Sequence, residues 1–261
     1  MKNFIVPIDF SADSIKGLEM AVLFSKHQST NIQMVYVQKK SEDFRPGTYE
    51  EEHRFAEKEF AKIIEKYEGK LAHNSKLRYI IKIGRIYEEI VEQAESYKES
   101  VISASTHGAS GFEEFFIGSN AYKIISATRN PVITIRKKIP KEIKKIVVPL
   151  KLHVDTRQKV PVAAEIAEIF GAELHLITVN NEKSQKAAHR LNSYMAQSVS
   201  YLKRKQINFV AKKLSGDSLV TLVNNYVEAV DADLVCTMTG QGSGWSVLLG
   251  SFSQQILSRS N

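Results

Sequence analysis

The sequence predicts an α/β fold built twice: two tandem domains, each a five-stranded parallel sheet with helices on both faces. Three observations carry this expectation. Short Val/Ile-rich runs alternate with amphipathic stretches along the whole chain, the pattern of strands joined by crossover helices. Landmarks of the first half recur in the same order in the second, the signature of an internal duplication. A length of 261 residues suits two domains of roughly 100–150 residues, each large enough for its own core.

In the first copy the strand signals are Phe4–Ile8, Ile32–Val37, Tyr79–Ile83, Val101–Ala104 and Val132–Ile135. Helical stretches run between them from Ser11 to about His27, Glu50 to about Tyr67, Ile86 to about Tyr97 and Ser119 to about Ala127. Ser11 or Asp13 is suited to cap the first of these. The second copy repeats the order with strands at Ile146–Leu150, Leu174–Val179, Phe209–Lys213 and Leu234–Thr237. Its helices are expected near 156–169, 183–204, 217–229 and 246–258. The second copy reaches Leu257–Asn261 at the point where the first continues into Pro131–Ile135. Its fifth strand is therefore expected to be missing from this sequence. The boundary falls in the basic, proline-containing stretch Arg136–Lys145, giving domains 1–140 and 141–261.

The duplication is most specific after the fourth strand. Ser105-Thr-His-Gly108 is followed by nine residues and Gly118-Ser119; Thr237-Met-Thr-Gly240 is followed by nine residues and Gly250-Ser251. Each is a strand, a glycine loop and a helix start. Glycine lets the backbone approach an anion, and a helix N-terminus offers unpaired N–H groups and a favourable dipole. The pattern reads as a phosphate-binding turn present twice. In an open parallel sheet, ligands lie beyond the carboxyl ends of the strands. Asp9 sits at such an exit, in Val6-Pro7-Ile8-Asp9, where a carboxylate can accept from ribose hydroxyls or an adenine amino group; a structural loop carboxylate is the alternative. The second copy has Lys151 there, in Val148-Pro149-Leu150-Lys151, reversing the charge.

Composition excludes several classes. The apolar share of 43% and charged share of 25% are those of an ordinary globular protein. The net charge of +7 comes mostly from dispersed lysines, so no nucleic-acid partner is expected; the densest run, Arg136–Lys145, reads as a solvated linker, with attraction of an anionic partner as the alternative. The single Cys236 rules out an internal disulfide framework and reads as a buried inert thiol. The start Met1-Lys-Asn runs straight into a strand and no apolar run approaches about 18 residues. A cytoplasmic location without membrane contact is expected. There is no Gly-x4-Gly-Lys-Ser/Thr, no Gly-x-Gly-x-x-Gly after the first strand, and no zinc-ligand spacing. No water-activating residue is evident beside the glycine turns, and His107 lacks a nearby partner for acid–base work, so fast hydrolysis is not expected.

These motifs resemble those of the tandem universal stress proteins, the universal stress protein A family of adenine-nucleotide-binding α/β proteins. Pro7 and Asp9 match the family's Pro-x-Asp, and Gly108, Gly118 and Ser119 match most of its Gly-x2-Gly-x9-Gly-Ser/Thr. Val37 matches the position whose backbone meets adenine. The first glycine of the motif is Ser105 here and Thr237 in the second copy. The resemblance implies a site for ATP, ADP or AMP in the first domain, formed by Pro7, Ile8, Asp9, Val37, Ser105, His107, Gly108, Gly118, Ser119 and Asn120. Any Mg²⁺ would be held mainly through the phosphates, since no carboxylate cluster is in evidence. The matching second site, Lys151, Val179, Gly240, Gly250 and Ser251, is degenerate. The family's fifth strands pair two domains or two chains, which implies a homodimer or an intramolecular pairing. The implied role is signalling or protection in a stress response. The alternatives are a ligand-free dimeric interaction module and a slow ATP hydrolase.

Overall fold

The computed structural model describes residues 1–39, 48–72, 74–106, 118–135, 138–152, 157–180 and 184–238. Two compact units, Met1–Ile139 and Pro140–Ser260, divide the chain.

The first unit contains strands β1 (Asn3–Pro7), β2 (Asn31–Lys39), β3 (Lys76–Gly84), β4 (Ser100–Ser105) and β5 (Val132–Ile135). Helices α1 (Ala12–Ser25), α2 (Thr48–Tyr67), α3 (Ile86–Glu95) and α4 (Ser119–Ala127) connect them. All five strands pair in parallel, in the order β3-β2-β1-β4-β5. β-Branched residues suit these strands because both faces are covered and side chains alternate between them. On one face Ile5, Val35, Val37, Ile102 and Ala104 pack with Ile90 and Ala94 of α3 and Ile124 of α4. On the other, Phe4 meets Phe24 of α1 with ring centroids 4.9 Å apart. The order reverses between β1 and β4, which leaves a crevice at their carboxyl ends.

Local sequence explains the helix starts. Ser11 is the cap of α1, its hydroxyl accepting from the Ser14 N–H at 3.1 Å; capping falls to Ser11 and not to Asp13, which pairs with Lys16 at 2.5 Å. Gly17 brings α1 close to β4, where the buried Ser103 hydroxyl donates to the Gly17 carbonyl at 2.8 Å. A Cβ on Gly17 would lie 2.6 Å from the Ser103 backbone oxygen.

The second unit contains β6 (Lys145–Leu150), β7 (Glu173–Asn180), β8 (Phe209–Ser215) and β9 (Leu234–Val235), with α5 (Lys159–Phe170), α6 (Gln185–Arg204) and α7 (Leu219–Val230). Among the described residues its sheet has four parallel strands in the order β8-β7-β6-β9. The fourth strand is shorter than the expected Leu234–Thr237. In the first unit β4 is held from both sides, by β1 and by β5; among the described residues β9 pairs with β6 alone. The α5 helix starts at Lys159, later than the expected residue 156. Asp233 ties the start of this sheet together, its carboxylate accepting from the Lys144 and Lys145 N–H groups at 2.7 and 3.0 Å. The buried His175 on β7 lies between Tyr226, at 2.9 Å, and Glu173, at 2.8 Å. The expected helix 246–258 lies outside the described residues. No helix among those residues is long and apolar enough to cross a membrane.

Candidate functional site

A pocket of about 170 Å³ opens at the strand exits of the first domain. Several elements deliver its walls. The end of β1 and the turn after it supply Pro7, Ile8 and Asp9; β2 supplies Val35, Tyr36 and Val37; β4 and its exit supply Ala104, Ser105 and Thr106. The fourth wall is the start of α4, with Gly118, Ser119 and Asn120. Pro7, Ile8, Asp9, Val37, Ser105, Gly118, Ser119 and Asn120 are thus brought to one cavity. His107 and Gly108 lie outside the described residues.

The turn after β1 is held by a short chain of hydrogen bonds. Asp9 Oδ1 accepts from the Ser11 N–H at 3.0 Å and from its hydroxyl at 2.5 Å. The Asp9 N–H in turn donates to Ser14 Oγ at 3.3 Å. Asp9 is nevertheless exposed, and a carboxylate oxygen has lone pairs beyond those two bonds. It therefore has a structural part in the loop while lining the pocket. Phe10, the next residue, has φ of 63°, unusual for a bulky side chain. Its ring sits among Tyr36, Phe55 and Phe60, with centroid distances of 4.9, 5.7 and 5.1 Å. That cluster offsets the backbone cost and fixes how the chain leaves β1.

At the opposite wall, Gly118 caps α4 and has no side chain to accept from the first-turn N–H groups. The Gly118 N–H donates to the Thr106 carbonyl at 2.7 Å, which ties the helix start to the exit of β4. A Cβ on Gly118 would meet that carbonyl oxygen at 3.1 Å. The result is a helix N-terminus facing a cavity with Ser119 and Asn120 in its first turn. Such a terminus suits a phosphate or other anion.

Tyr36 closes the β2 side. Its hydroxyl donates to Glu52 Oε1 at 2.5 Å. Burial, that hydrogen bond and the charges of Glu52 and Asp9 all raise its ionisation above the ordinary 10.0, so it lines the pocket as a neutral phenol. Sequence reading missed Tyr36, Ser14 and the apolar floor from Ile86, Ile90, Ala121 and Ile124. Ile86 was within reach, since it opens the helix that follows Gly84 and the cap residue Arg85. The Tyr36–Glu52 bond joins β2 to α2 across a long connection and leaves no local signal. Among the described residues no group of three or more His, Cys, Asp or Glu side chains is placed to hold a metal ion.

The second domain differs at the matching place. Lys151 follows β6 where Asp9 follows β1, is half-buried, and burial lowers its ionisation. Val179 lies on β7 within the apolar core beside Val147, Ile177 and Val223. Gly240, Gly250 and Ser251 lie outside the described residues. Cys236, expected to be buried, is half-buried as a residue; desolvation pushes its thiol up to about 11, consistent with an unreactive sulfur.

Two doubly wound units, the first with a pocket at its switch point, define a tandem α/β protein. The profile described as the Universal stress protein family matches residues 1–136 and again 142–261. The chain belongs to the universal stress protein family. A solved universal stress protein from Archaeoglobus fulgidus is similar with a TM-score of 0.78 and 20% identity, covering 99% of this chain and 93% of its own. A Pseudomonas aeruginosa structure described in the same family terms has a TM-score of 0.68 and 14% identity, covering 99% of this chain and 90% of its own. At such identities the likeness is one of fold. No curated protein sequence matches.

Proposed function

We propose that the first domain binds an adenine nucleotide (ATP, ADP or AMP) and that the protein acts in a stress response as a binding or signalling component and not as a fast enzyme. The observation that carries this reading is the combination of Asp9 and the Gly118–Ser119–Asn120 helix start on one cavity at the sheet's switch point. The base would lie on the apolar side, against Ile8, Val37 and Ile86. Asp9 would accept from ribose hydroxyls, and the phosphates would lie at the start of α4. A Mg²⁺ ion would be held through the phosphates, which supply the negative oxygens.

Asymmetry between the domains follows from charge. An ammonium at Lys151 cannot accept a hydrogen bond from ribose, so a single nucleotide per chain is expected, in the first domain. Calorimetric titration tests this with ATP and adenosine in parallel. Binding of ATP well above that of adenosine supports phosphate contacts at α4. No binding of either ligand would favour the alternative of a ligand-free interaction module.

A further inference from the structure

We propose that the sheet edge formed by β3 is a docking surface for an extended acidic segment of a partner protein, which adds to the first domain's sheet as a further strand. This proposal is independent of nucleotide binding by the first domain.

β3 is the outermost strand of its sheet, and among the described residues it pairs with β2 alone. The Lys76 N–H donates to the carbonyl of Thr30, just before β2, at 3.0 Å. Backbone amide groups of a parallel strand alternate sides. Lys76, Arg78, Ile80 and Lys82 therefore turn theirs toward β2, while Leu77, Tyr79, Ile81 and Ile83 turn theirs outward. The strand runs nine residues without a proline and pairs with β2 without a bulge. Such an edge is a template for another strand.

The side chains of the outward-turned residues share one face of the strand, the face toward α2, where Phe60 of α2 stacks on Tyr79 with ring centroids 4.5 Å apart. The helix covers this stripe incompletely. Tyr79 is 37% exposed, Ile83 54% and Phe55 of α2 53%. They are three of the four large hydrophobic side chains exposed among the described residues, so the exposure is concentrated on one flank. Ring contacts connect it, from Phe55 to Phe10 and from Phe10 to Phe60. An open strand edge beside an exposed apolar patch supplies what strand addition uses: main-chain partners for affinity and contacts for alternate side chains.

Charge selects the occupant. Lys76, Arg78 and Lys82 lie on the opposite face, and β3 has no acidic residue. Lys82 is paired with Glu89 and Glu92 of α3, at 3.0 and 3.3 Å. Lys76 and Arg78 are exposed, and among the described residues neither has a carboxylate in ion-pair range. A second copy pairing the same strand antiparallel about Ile80 would set Arg78 opposite Lys82, like charge against like. A strand with carboxylates at alternate positions sets them against Lys76 and Arg78 instead, while its apolar side chains cover Tyr79 and Ile83.

Fluorescence anisotropy of the intact chain with a labelled peptide alternating aspartate and valine tests the proposal, with a peptide alternating lysine and valine as the comparison. The wild type is expected to bind the acidic peptide and not the basic one. Arg78→Glu should weaken acidic-peptide binding about 5-fold or more, the scale of losing one exposed ion pair and gaining a repulsion. Ile83→Pro removes an outward N–H without breaking a bond to β2 and should weaken binding at least as much. No binding of the acidic peptide, equal binding of the two peptides, or unchanged affinity in either variant when circular dichroism shows it folded would overturn the proposal. Should Ile83→Pro not fold, Arg78→Glu carries the comparison: reduced affinity supports the surface and unchanged affinity contradicts it. Displacement of the acidic peptide by an RNA oligonucleotide, equally from wild type and Ile83→Pro, would mark a general polyanion surface and overturn the proposal. A wild-type dimer that Ile83→Pro dissociates in sedimentation would assign the edge to a second copy and overturn it as well.

Discussion

Replacing Gly17 by alanine adds one methyl group where α1 crosses β4, and the structure sets what that methyl must displace. The new Cβ would lie 2.6 Å from the Ser103 backbone oxygen and 3.3 Å from its carbonyl carbon. Both are backbone atoms of the fully buried Ser103, so no rotamer change relieves the overlap, and helix and strand must separate by about half an ångström or more. Overpacking of this kind costs about 1–3 kcal/mol. Stretching the Ser103–Gly17 hydrogen bond, 2.8 Å in the native fold, costs about 1 kcal/mol more. Alanine's better helix propensity returns about 1 kcal/mol. The net expectation is a loss of about 1–3 kcal/mol confined to the first domain. Gly69→Ala is the control, because a Cβ there meets nothing within 4 Å and should change stability by less than about 0.5 kcal/mol. Native-state hydrogen exchange read by mass spectrometry separates the domains: peptides from β1 and β4 should lose protection in Gly17→Ala, and peptides from β6 and β7 should not. Equal protection of β1 and β4 in wild type and Gly17→Ala would refute the close-packing argument.

Two other substitutions probe the domains separately. Lys159→Met should stabilise the second domain at pH 7 by about 3 kcal/mol, the equivalent of a lysine held at about 8 against an ordinary 10.5. The sign follows from linkage. Below about pH 8 both states carry the proton and the folded state bears the full cost; between about 8 and 10.5 the unfolded state binds more protons, so wild-type stability gains on Lys159→Met as pH rises. Urea unfolding of both proteins at pH 7 and pH 10 in phosphate-free buffer reads this, and a gap that does not narrow at pH 10 would contradict it. Gly118→Val places a branched side chain where even a Cβ lies 3.1 Å from the Thr106 oxygen and crowds the start of α4. ATP affinity should then fall far more than adenosine affinity in parallel titrations; equal losses would mean that this helix start does not face the phosphates.

Much of the fold was legible because strand and helix periods repeat twice in register. Val132–Ile135 and Ser119–Ala127 were set by β-branched runs and by a glycine before an amphipathic stretch, signals that lie within the elements themselves. Asp9 and Gly118 could be placed at strand exits from the alternation alone, since a parallel sheet puts all such exits at one end. What escaped depended on contacts distant in sequence. Gly17 reads as a weak point in a helix until β4 is packed against it. Lys159 reads as one more surface lysine in a basic chain, and only packing shows it buried beside Cys236. Asp9 reads from sequence either as a ligand acceptor or as a loop carboxylate; its bonds to Ser11 give it the loop part, and the ligand part belongs to the proposal for the first domain. The shortness of β9 reflects pairing on one side among the described residues, which no property of Leu234–Thr237 itself conveys.

The central claim, an adenine-nucleotide site in the first domain alone, is tested most directly by calorimetric titration of the intact chain with ATP, wild type against Asp9→Ala. Saturation near one equivalent per chain is expected, with Asp9→Ala weakening binding by about 1.5–3 kcal/mol, the scale of a hydrogen bond to a charged group, and circular dichroism unchanged. Two equivalents of similar affinity, or an Asp9→Ala protein that binds ATP as the wild type does, would contradict it.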